Sequence, residues 1–477
     1  MRLLLASVGP LLPLLAWPAL SPARRVLLAL VALVGGVAFR YAHRALDRHP
    51  GRDRFERWFL ATLGAATVVV AVPDLIVAGL AWTATSLALH RLLTIETGRP
   101  AAEVAAHQKF LLSRGADVLL VAALALIART FGTTHVPTLL ETVARTPALP
   151  AAAEWAGVLL VGAVIVRSAQ LPFHGWLLQV MEAPTPVSAL LHAGIVNLGA
   201  ILLLTVAPFL DRLTVAPLLL VGVGGVTAAL GALAMLTRGS IKAQLAWSTT
   251  AQMGFLLLTC GLGAWDLALV HLVGHALYKA HAFLASGGTP GASRRVADGA
   301  RPDATAWSLA LATACTAVGA VAAIGWGDVG GRPALALSAL LLALGIATAL
   351  APGLAGPHRS LRTWGATLPL ALGLPAAYGL VHPLAATVAP GSAAATVPPA
   401  MLLVVAWGAI GLFVVQGLVT ARPDGRLARA LYPHAAAGFH LDLLFTRLTF
   451  RLWPPTIPAR RPYADRATDA TSITRAA

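Results

Sequence analysis

The chain has 477 residues, of which 58% are hydrophobic and only 11% are charged, and its formal net charge is +16. A soluble domain carries about a quarter charged residues, so this composition excludes a soluble protein of several domains. Only three of the 35 basic residues are lysines, and the arginines lie between apolar segments rather than on one face, which argues against nucleic-acid binding.

Long apolar segments recur along the chain, separated by short connections rich in Gly, Pro and Arg. This pattern is typical of an all-α, polytopic transmembrane helical bundle, because backbone polar groups in lipid must be satisfied within each helix. About fourteen spans are predicted, at residues 3–20, 25–42, 57–73, 74–92, 110–129, 154–182, 185–208, 215–236, 241–262, 266–286, 305–324, 333–351, 364–381 and 399–420. The first lacks a small-residue cleavage site, so we expect a retained span rather than a signal peptide.

The charges of the connections predict the orientation of these spans. If residues 43–56 are cytoplasmic, counting crossings places the other basic connections on the same side: Arg91/Arg99/Lys109, Arg238, Arg294/Arg295/Arg301, Arg359/Arg362 and the Arg-rich C-terminal tail. Connections on the opposite side, such as 130–153 and 387–398, hold few basic residues. This agreement follows the enrichment of Lys and Arg in cytoplasmic loops, with Arg24 and Arg25 as exceptions.

The central third of the chain concentrates ionisable residues, which are costly inside a bilayer. Arg167, His174, Glu182 and His192 lie within apolar sequence, and Pro172 interrupts the span at 154–182. A proline removes a backbone donor, so we expect at least one discontinuous helix that presents polar groups at membrane depth. A kinked packing helix is the alternative for this segment, and Glu182 could equally lie at a helix end.

The strongest pattern is a row of basic residues on one predicted helix. His271, His275 and Lys279 follow each other at intervals of four residues and so line one stripe, while Lys242 opens the preceding helix. Imidazole groups titrate near neutral pH, and a buried lysine can do the same, so this row suits proton transfer. The alternatives are polar residues that hold helices together and a zinc site, for which no third ligand lies nearby in sequence.

Other patterns predict simpler roles. Asp74 is expected to cap the helix at 74–92, and His90 and Asp117 are expected at the membrane interface. Cys260 and Cys315 lie in apolar helices and fit neither a disulfide framework nor a metal site. The chain has no nucleotide-binding loop and no CxxC motif, so we expect no cofactor and no metal.

The residues after 420 differ in character from the spans. Residues 440–453 predict an amphipathic helix, in the membrane interface or against a partner. Its apolar residues are Leu441, Leu444, Phe445, Leu448 and Leu452, and Arg447 and Arg451 lie opposite them. Residues 454–477 are expected to be disordered.

Three motifs carry a family resemblance: SAQLPFHGWLLQVMEAPTPVSALLHAG (168–194), GSIKAQLAWSTTAQMGF (239–255) and HLVGHALYKAHAFLASG (271–287). They resemble the proton-conducting membrane subunits of respiratory complex I, most closely the L-subunit branch that also contains the Mrp antiporter A subunit. The resemblance covers about residues 40–290. It implies a discontinuous helix at 154–182 and a hydrated axis through the membrane plane that contains Lys242, His271, His275 and Lys279.

Departures from the complex I pattern indicate which branch of the family the chain resembles. Thr83 follows Trp82 where that pattern has Trp-Glu, so the glutamate that pairs with a lysine is missing, and Arg167 stands where the family usually has that lysine. The chain is also shorter, without the long lateral helix of the L subunit. These features are similar to the DabB-type membrane subunits of inorganic carbon transporters. The resemblance implies a partner, a DabA-like, zinc-dependent, carbonic-anhydrase-like subunit that hydrates CO₂.

The sequence therefore predicts a transporter subunit rather than an enzyme, located in a bacterial inner membrane and conducting H⁺ or Na⁺ to energise inorganic carbon uptake. We expect proton exchange at His192, Lys242, His271, His275 and Lys279. Because a guanidinium does not readily release its proton, Arg167 is expected to act as an electrostatic element, together with the helix break at Pro172 and with Glu182.

Four regions follow from this prediction: N-terminal spans with an Arg-rich cytoplasmic loop (1–60), an antiporter-like proton-conducting core (61–290), C-terminal transmembrane helices (291–420), and an amphipathic helix with a disordered tail (421–477). A proton-pumping subunit of complex I or of a membrane hydrogenase is the alternative function. A structural anchor that has lost conduction is a third hypothesis, because position 83 lacks the glutamate.

Overall fold

The computed structural model of the chain describes residues 2–13, 20–47, 49–95, 100–180, 183–286, 302–325, 333–355, 361–389 and 398–455. Throughout these ranges the regular elements are helices, and β-pairing is limited to an isolated bridge between Asp74 and His135. The predicted all-α class is confirmed. Glu182 and the tail from residue 456 lie outside the described residues, so the predictions made for them stay predictions.

Twenty α-helices follow one another in the described ranges: α1 (Arg2–Val8), α2 (Pro22–Ala45), α3 (Arg52–Ala71), α4 (Leu75–Leu93), α5 (Pro100–Phe131), α6 (Val136–Arg145), α7 (Ala151–Arg167), α8 (Gly175–Gln179), α9 (Thr185–Ala193), α10 (Leu198–Thr205), α11 (Ala207–Leu210), α12 (Val215–Met235), α13 (Ile241–Gly261), α14 (Trp265–Ser286), α15 (Ala304–Gly325), α16 (Pro333–Leu350), α17 (Leu361–Val388), α18 (Pro399–Ala421), α19 (Arg426–Ala436) and α20 (Leu443–Leu452). Short 3₁₀ turns join several of them.

Ten helical stretches in the described part of the chain are long and apolar enough to cross a membrane, counting α9 and α10 as one. The protein is therefore a multi-pass membrane protein. The count of about fourteen spans stays a prediction, because α1, α3, α7 and α13 correspond to predicted spans outside this set. For α7 the reason is its length, since it has 17 residues.

Close helix packing builds the core at the pair α12 and α13. A Cβ atom on Gly254 would lie 2.5 Å from the backbone nitrogen of Ala228 and 2.6 Å from the carbonyl oxygen of Gly224. Only glycine permits backbones to approach so closely, which is a frequent device between membrane helices. One large apolar core joins the helices from α1 to α14, and a smaller one joins α15 to α18.

Three predicted boundaries differ from the structure. The span predicted at 110–129 is part of α5, which begins at Pro100 and places Lys109 inside the helix rather than in a loop. The predicted connection at 130–153 contains α6, an amphipathic helix that buries Val136, Leu139 and Val143. The predicted span at 185–208 is broken at Gly194, where a 3₁₀ turn separates α9 from α10.

The predicted cap at Asp74 is confirmed. Its Oδ1 accepts hydrogen bonds from the backbone N–H groups of Ile76 and Val77, at 2.9 and 3.0 Å, and Thr134 donates to Oδ2 at 2.7 Å. Burial alone would raise the pKa of this carboxyl group, but the hydrogen bonds outweigh burial and lower it. The carboxylate therefore fixes the connection before α4 in its charged form.

Contacts between helix ends divide the bundle into two faces. At the face that we call the basic face, Arg238 donates to the carbonyl oxygen of Ala435 at 2.9 Å, close to the start of α13. At the opposite face, Glu154 accepts hydrogen bonds from the N–H groups at the start of α12, and Trp265 donates to Asp211 at 2.9 Å. The chain therefore runs from the opposite face to the basic face in α12 and α14, and the other way in α13.

Candidate ion pathway

The discontinuous helix forms at the predicted position. Helix α7 ends at Arg167, the chain continues through turns that contain Pro172, and α8 begins at Gly175. The backbone N–H of Leu171, inside this break, donates to the hydroxyl of Thr227 at 3.1 Å. The break therefore places polar backbone within the bundle, held by a side chain of α12.

Arg167, at the end of α7, pairs with a carboxylate that the sequence did not indicate. The guanidinium forms an ion pair with Asp117 of α5 and lies 4.4 Å above the ring of Trp82. Thr83 donates its hydroxyl hydrogen to Asp117 Oδ1 at 2.9 Å, and Arg114 lies 3.0 Å from Oδ2. The predicted interfacial position of Asp117 is wrong, because α5 is 32 residues long and carries this residue near its middle.

Lys109 is a second buried group that the sequence prediction missed. Its side chain lies within α5, almost fully enclosed, and its ammonium group donates to the hydroxyl of Ser86 at 3.1 Å. The ring of Trp176 lies 6.0 Å from the nitrogen. A signal existed in the sequence, since apolar residues at helical spacing continue on both sides of Lys109 and make a loop there improbable.

The predicted stripe on α14 exists as a row of side chains, in which His271 is half-buried. The rings of His271 and His275 stack with centroids 6.0 Å apart, and His275 and Lys279 are both buried. Lys279 donates to the carbonyl oxygen of Leu245 at 2.9 Å. That carbonyl group belongs to α13, so the lysine bridges the two helices.

His192 joins this row from the broken segment α9–α10. Its ring is fully buried and stacks on Phe283, with centroids 4.3 Å apart. His275 Nε2 lies 3.3 Å from the carbonyl oxygen of His192. The structure thus brings together four of the five residues predicted to exchange protons: His192, His271, His275 and Lys279.

Lys242, the fifth predicted residue, lies apart from the others at the basic face. It is half-buried, and its ammonium group lies 3.4 Å from the hydroxyl of Thr185, at the start of α9. It precedes Leu245 by less than one helical turn, and the carbonyl group of Leu245 holds Lys279. Lys242 is therefore placed between the basic face and the buried row.

Several imidazole nitrogens in the row lack a protein partner within the described ranges. They are both ring nitrogens of His192, Nε2 of His271 and Nδ1 of His275. Lys279 likewise has no ion pair with any described carboxylate. Buried polar groups are almost always hydrogen-bonded, so these positions have the chemistry of a site that water or a transported ion occupies. In the described part of the chain, no group of three His, Cys, Asp or Glu side chains could hold a metal ion.

The C-terminal segment, residues 426–453, covers the basic side of this region. Trp453 stacks on His107 of α5 at a centroid distance of 4.0 Å, and its carbonyl oxygen lies 3.2 Å from His107 Nδ1. Phe445 of α20 packs against Phe173 in the helix break, at 4.9 Å. The predicted amphipathic helix is present, but Phe445 faces the protein, whereas Leu444 on the same predicted face is exposed.

The comparisons with known proteins agree with this geometry. The protein family described as "NADH:quinone oxidoreductase/Mrp antiporter, TM" matches residues 72–329. The chain is 36% identical over 461 residues to "Probable inorganic carbon transporter subunit DabB" of Hydrogenovibrio crunogenus, which covers 93% of this chain and 85% of that protein. It is 38% identical over 441 residues to "Probable inorganic carbon transporter subunit DabB2" of Halothiobacillus neapolitanus. That match covers 91% of this chain and 80% of the other protein.

Among solved structures, the chain is similar to one from the Mrp complex of Dietzia sp. DQ12-45-1b, with a TM-score of 0.56 and 25% sequence identity. That match covers 99% of this chain and 56% of the other. The shared fold therefore extends over nearly all of the helices described above.

Proposed function

We propose the function of this chain from the family to which it belongs. The chain is a member of the NADH:quinone oxidoreductase/Mrp antiporter family of membrane subunits and, within it, of the DabB-type inorganic carbon transporter subunits. In this proposal the chain conducts H⁺ or Na⁺ across the membrane, and the ion flow energises the uptake of inorganic carbon by a complex. In this proposal the chain is a transport subunit and catalyses no reaction itself.

One observation carries the proposal: the row of buried His192, His275 and Lys279 with half-buried His271, whose ring nitrogens include several that have no described protein partner. Side chains of this kind are expensive in a bilayer and are tolerated where they line an ion or proton pathway. Imidazole both accepts and donates a proton, so neighbouring rings linked by water can pass one along. Lys242 connects this row to the basic face.

The ion pair between Arg167 and Asp117 has a different role in the proposal. A guanidinium keeps its proton, so this pair sets the local field and does not relay protons. Asp117 supplies from α5 the carboxylate that position 83 lacks, and Thr83 supports it by a hydrogen bond. Loss of the glutamate at position 83 therefore does not require loss of function, which weakens the hypothesis of a structural anchor.

The proposed topology has about fourteen spans in a bacterial inner membrane, with the basic face in the cytoplasm. The division of helix ends between two faces supports it, since the connections predicted to be cytoplasmic lie at the basic face wherever they are described. We assign the DabA-like, zinc-dependent partner to this face. Each elementary charge that crosses 100 mV releases about 2.3 kcal/mol, which the partner can use to drive CO₂ hydration in one direction.

The test replaces the two lysines of the proposed pathway in the complete complex. Lys279→Met and Lys242→Ala are expected to lower inorganic carbon uptake and ion flux into proteoliposomes by about 100-fold, because each removes a proton carrier. Leu277→Ala is the matched control, since Leu277 is an exposed apolar residue on the same helix. Co-purification with the partner subunit must be unchanged in all three variants.

Two outcomes would contradict the proposal. Uptake and flux at the level of the unmodified complex in both lysine variants would remove these residues from any pathway. Co-purification with quinone-reducing or iron–sulfur subunits, in place of a zinc protein, would transfer the chain to the redox-driven alternative.

A further inference from the structure

A second polar pair lies where α14 begins, outside the residues assigned above. Asp266 Oδ2 is 3.1 Å from His382 Nδ1 of α17, and the two side chains are 27% and 20% exposed. Both residues lie in the part of the bundle that is otherwise apolar. Asp266 follows Trp265, which contacts Asp211 at the opposite face, so the pair also lies near that face.

The surroundings of this pair contain few other ionisable groups. The ring of Tyr378 stacks on that of His382, with centroids 5.2 Å apart and an interplanar angle of 13°. Helices α15 and α16, which also pack against α17, carry no ionisable side chain except Cys315 of α15. On α14 the nearest such group along the chain is His271. The described ionisable groups in contact with His382 are therefore Asp266 and Tyr378.

The position of the pair relative to the buried row is set by helix geometry. Asp266 precedes His271 by five residues on α14, which corresponds to about 7.5 Å along the helix axis. The row His271, His275 and Lys279 continues from there toward the basic face. The partly exposed carboxylate–imidazole pair thus lies on the opposite-face side of His271, the first imidazole of the row.

We propose that Asp266 and His382 form the proton exchange site at the opposite face, an inference that rests on the proposed function and commits it to H⁺. His382 binds a proton from water on a ring nitrogen, and the Asp266 carboxylate stabilises the imidazolium. The proton then leaves that nitrogen through water to His271, and His382 returns to its neutral form. The N–H bond on His382 forms as an O–H bond of hydronium breaks, and it breaks as an O–H bond to the next water forms, so no net oxidation or reduction occurs.

The arrangement differs from that of a simple contact between helices. Nδ1 of His382 faces Asp266 at 3.1 Å but is itself buried and satisfied by no hydrogen bond, whereas the rest of both side chains is partly exposed. The imidazole also belongs to α17, the last helix before α18 on the lipid-facing side of the bundle. A histidine at that position is costly unless it has a polar partner, and here that partner is the carboxylate of Asp266.

The test measures proton flux into proteoliposomes that contain the complete complex. His382→Gln is expected to lower the flux by about tenfold or more, because a general acid–base group is lost. Asp266→Asn is expected to lower the flux by a smaller factor, since the imidazolium loses its counter-charge, and Asp266→Glu, which keeps the carboxylate, is expected to restore it. Leu380→Ala, at an exposed apolar position of the same helix, serves as the control.

The outcomes separate this inference from the proposed function. If Lys279→Met blocks flux while His382→Gln and Asp266→Asn keep the flux of the unmodified complex, the pair is a structural contact and the inference is wrong. If flux persists in Lys279→Met as well, the proposed function fails. Asp266→Asn keeps the shape of the side chain, so its flux, compared with that of Asp266→Glu, decides the matter even where His382→Gln does not assemble.

Discussion

Two apolar segments, one in each half of the bundle, are buried to very different degrees. In the N-terminal half, 89% of the most apolar stretch of Thr185–Thr205 is buried by other helices, whereas in Pro399–Ala421 only 11% is buried. The first segment contains His192 and the second contains no ionisable residue. Apolarity alone does not separate the two segments, since both are strongly hydrophobic.

In these two segments the presence of a buried ionisable residue, rather than apolarity, distinguishes the enclosed helix from the peripheral one. A lipid-facing helix gains nothing from enclosure, because acyl chains solvate leucine as well as protein does. A helix with a histidine, lysine or aspartate must be surrounded by polar partners or water. In this chain α5, α7, α9, α13 and α14 meet that condition, and α18 lies outside them.

The largest effect on stability is expected when the ion pair between Asp117 and Arg167 is broken. Asp117→Asn leaves Arg167 buried without its counter-charge, so we expect a loss of about 3–5 kcal/mol in the free energy of unfolding. The double variant Asp117→Asn/Arg167→Gln should recover most of this loss. Denaturant unfolding of the detergent-solubilised protein measures both.

Asp53→Asn is the control for that prediction, because Asp53 pairs with Arg2 at an exposed position. Its expected cost is less than about 1 kcal/mol. Equal losses in Asp117→Asn and Asp53→Asn would show that burial does not set the strength of these pairs, and the contrast between the two halves would lose its explanation.

An intermediate effect is expected for the glycine contact between α12 and α13. Gly254→Ala places a methyl group against the backbone of Ala228, which must move, so we expect a loss of about 1–3 kcal/mol. Gly222→Ala places the same group in open space on α12 and is expected to stabilise the helix by up to about 1 kcal/mol. Thermal unfolding of both variants is the measurement, and identical melting temperatures would contradict the packing described.

The smallest effect concerns how stability depends on pH, through a carboxyl group at the opposite face. Burial raises the pKa of Asp211, in the connection before α12, to about 6, although the hydrogen bond from Trp265 opposes the rise. The folded state therefore binds a proton more tightly than the unfolded chain, and stability falls as pH rises from about 4 through about 6. Asp211→Asn should raise the melting temperature at pH 7.5 by a few degrees and flatten this dependence. An unchanged pH profile would contradict the assignment.

The sequence was sufficient for features that follow from local chemistry. The helical class, the break around Pro172, the cap at Asp74 and the stripe of His271, His275 and Lys279 depend on short-range spacing, and the structure has all of them. The roles predicted for Lys242 and His192 stay predictions. The positions of both residues agree with those roles.

The remaining features depend on partners that lie far apart in the chain. Asp117 meets Arg167 across 50 residues and Asp266 meets His382 across 116, and no periodicity in the sequence links them. The predicted start of the span at residue 110 was wrong because His107, Gln108 and Lys109 interrupt the apolar pattern. The helix continues through them, since Trp453 covers His107 and Ser86 binds Lys109.

Helix α5 is a single helix of 32 residues, about 48 Å long. Trp453 of the C-terminal segment stacks on its residue His107. Asp117 lies ten residues further on, about 15 Å away along the helix axis. The contact of Trp453 with His107 and the ion pair of Asp117 with Arg167 therefore share one continuous helix. The basic face and the central charge are in this way joined by a single rigid element, with no chain of side-chain contacts needed between them.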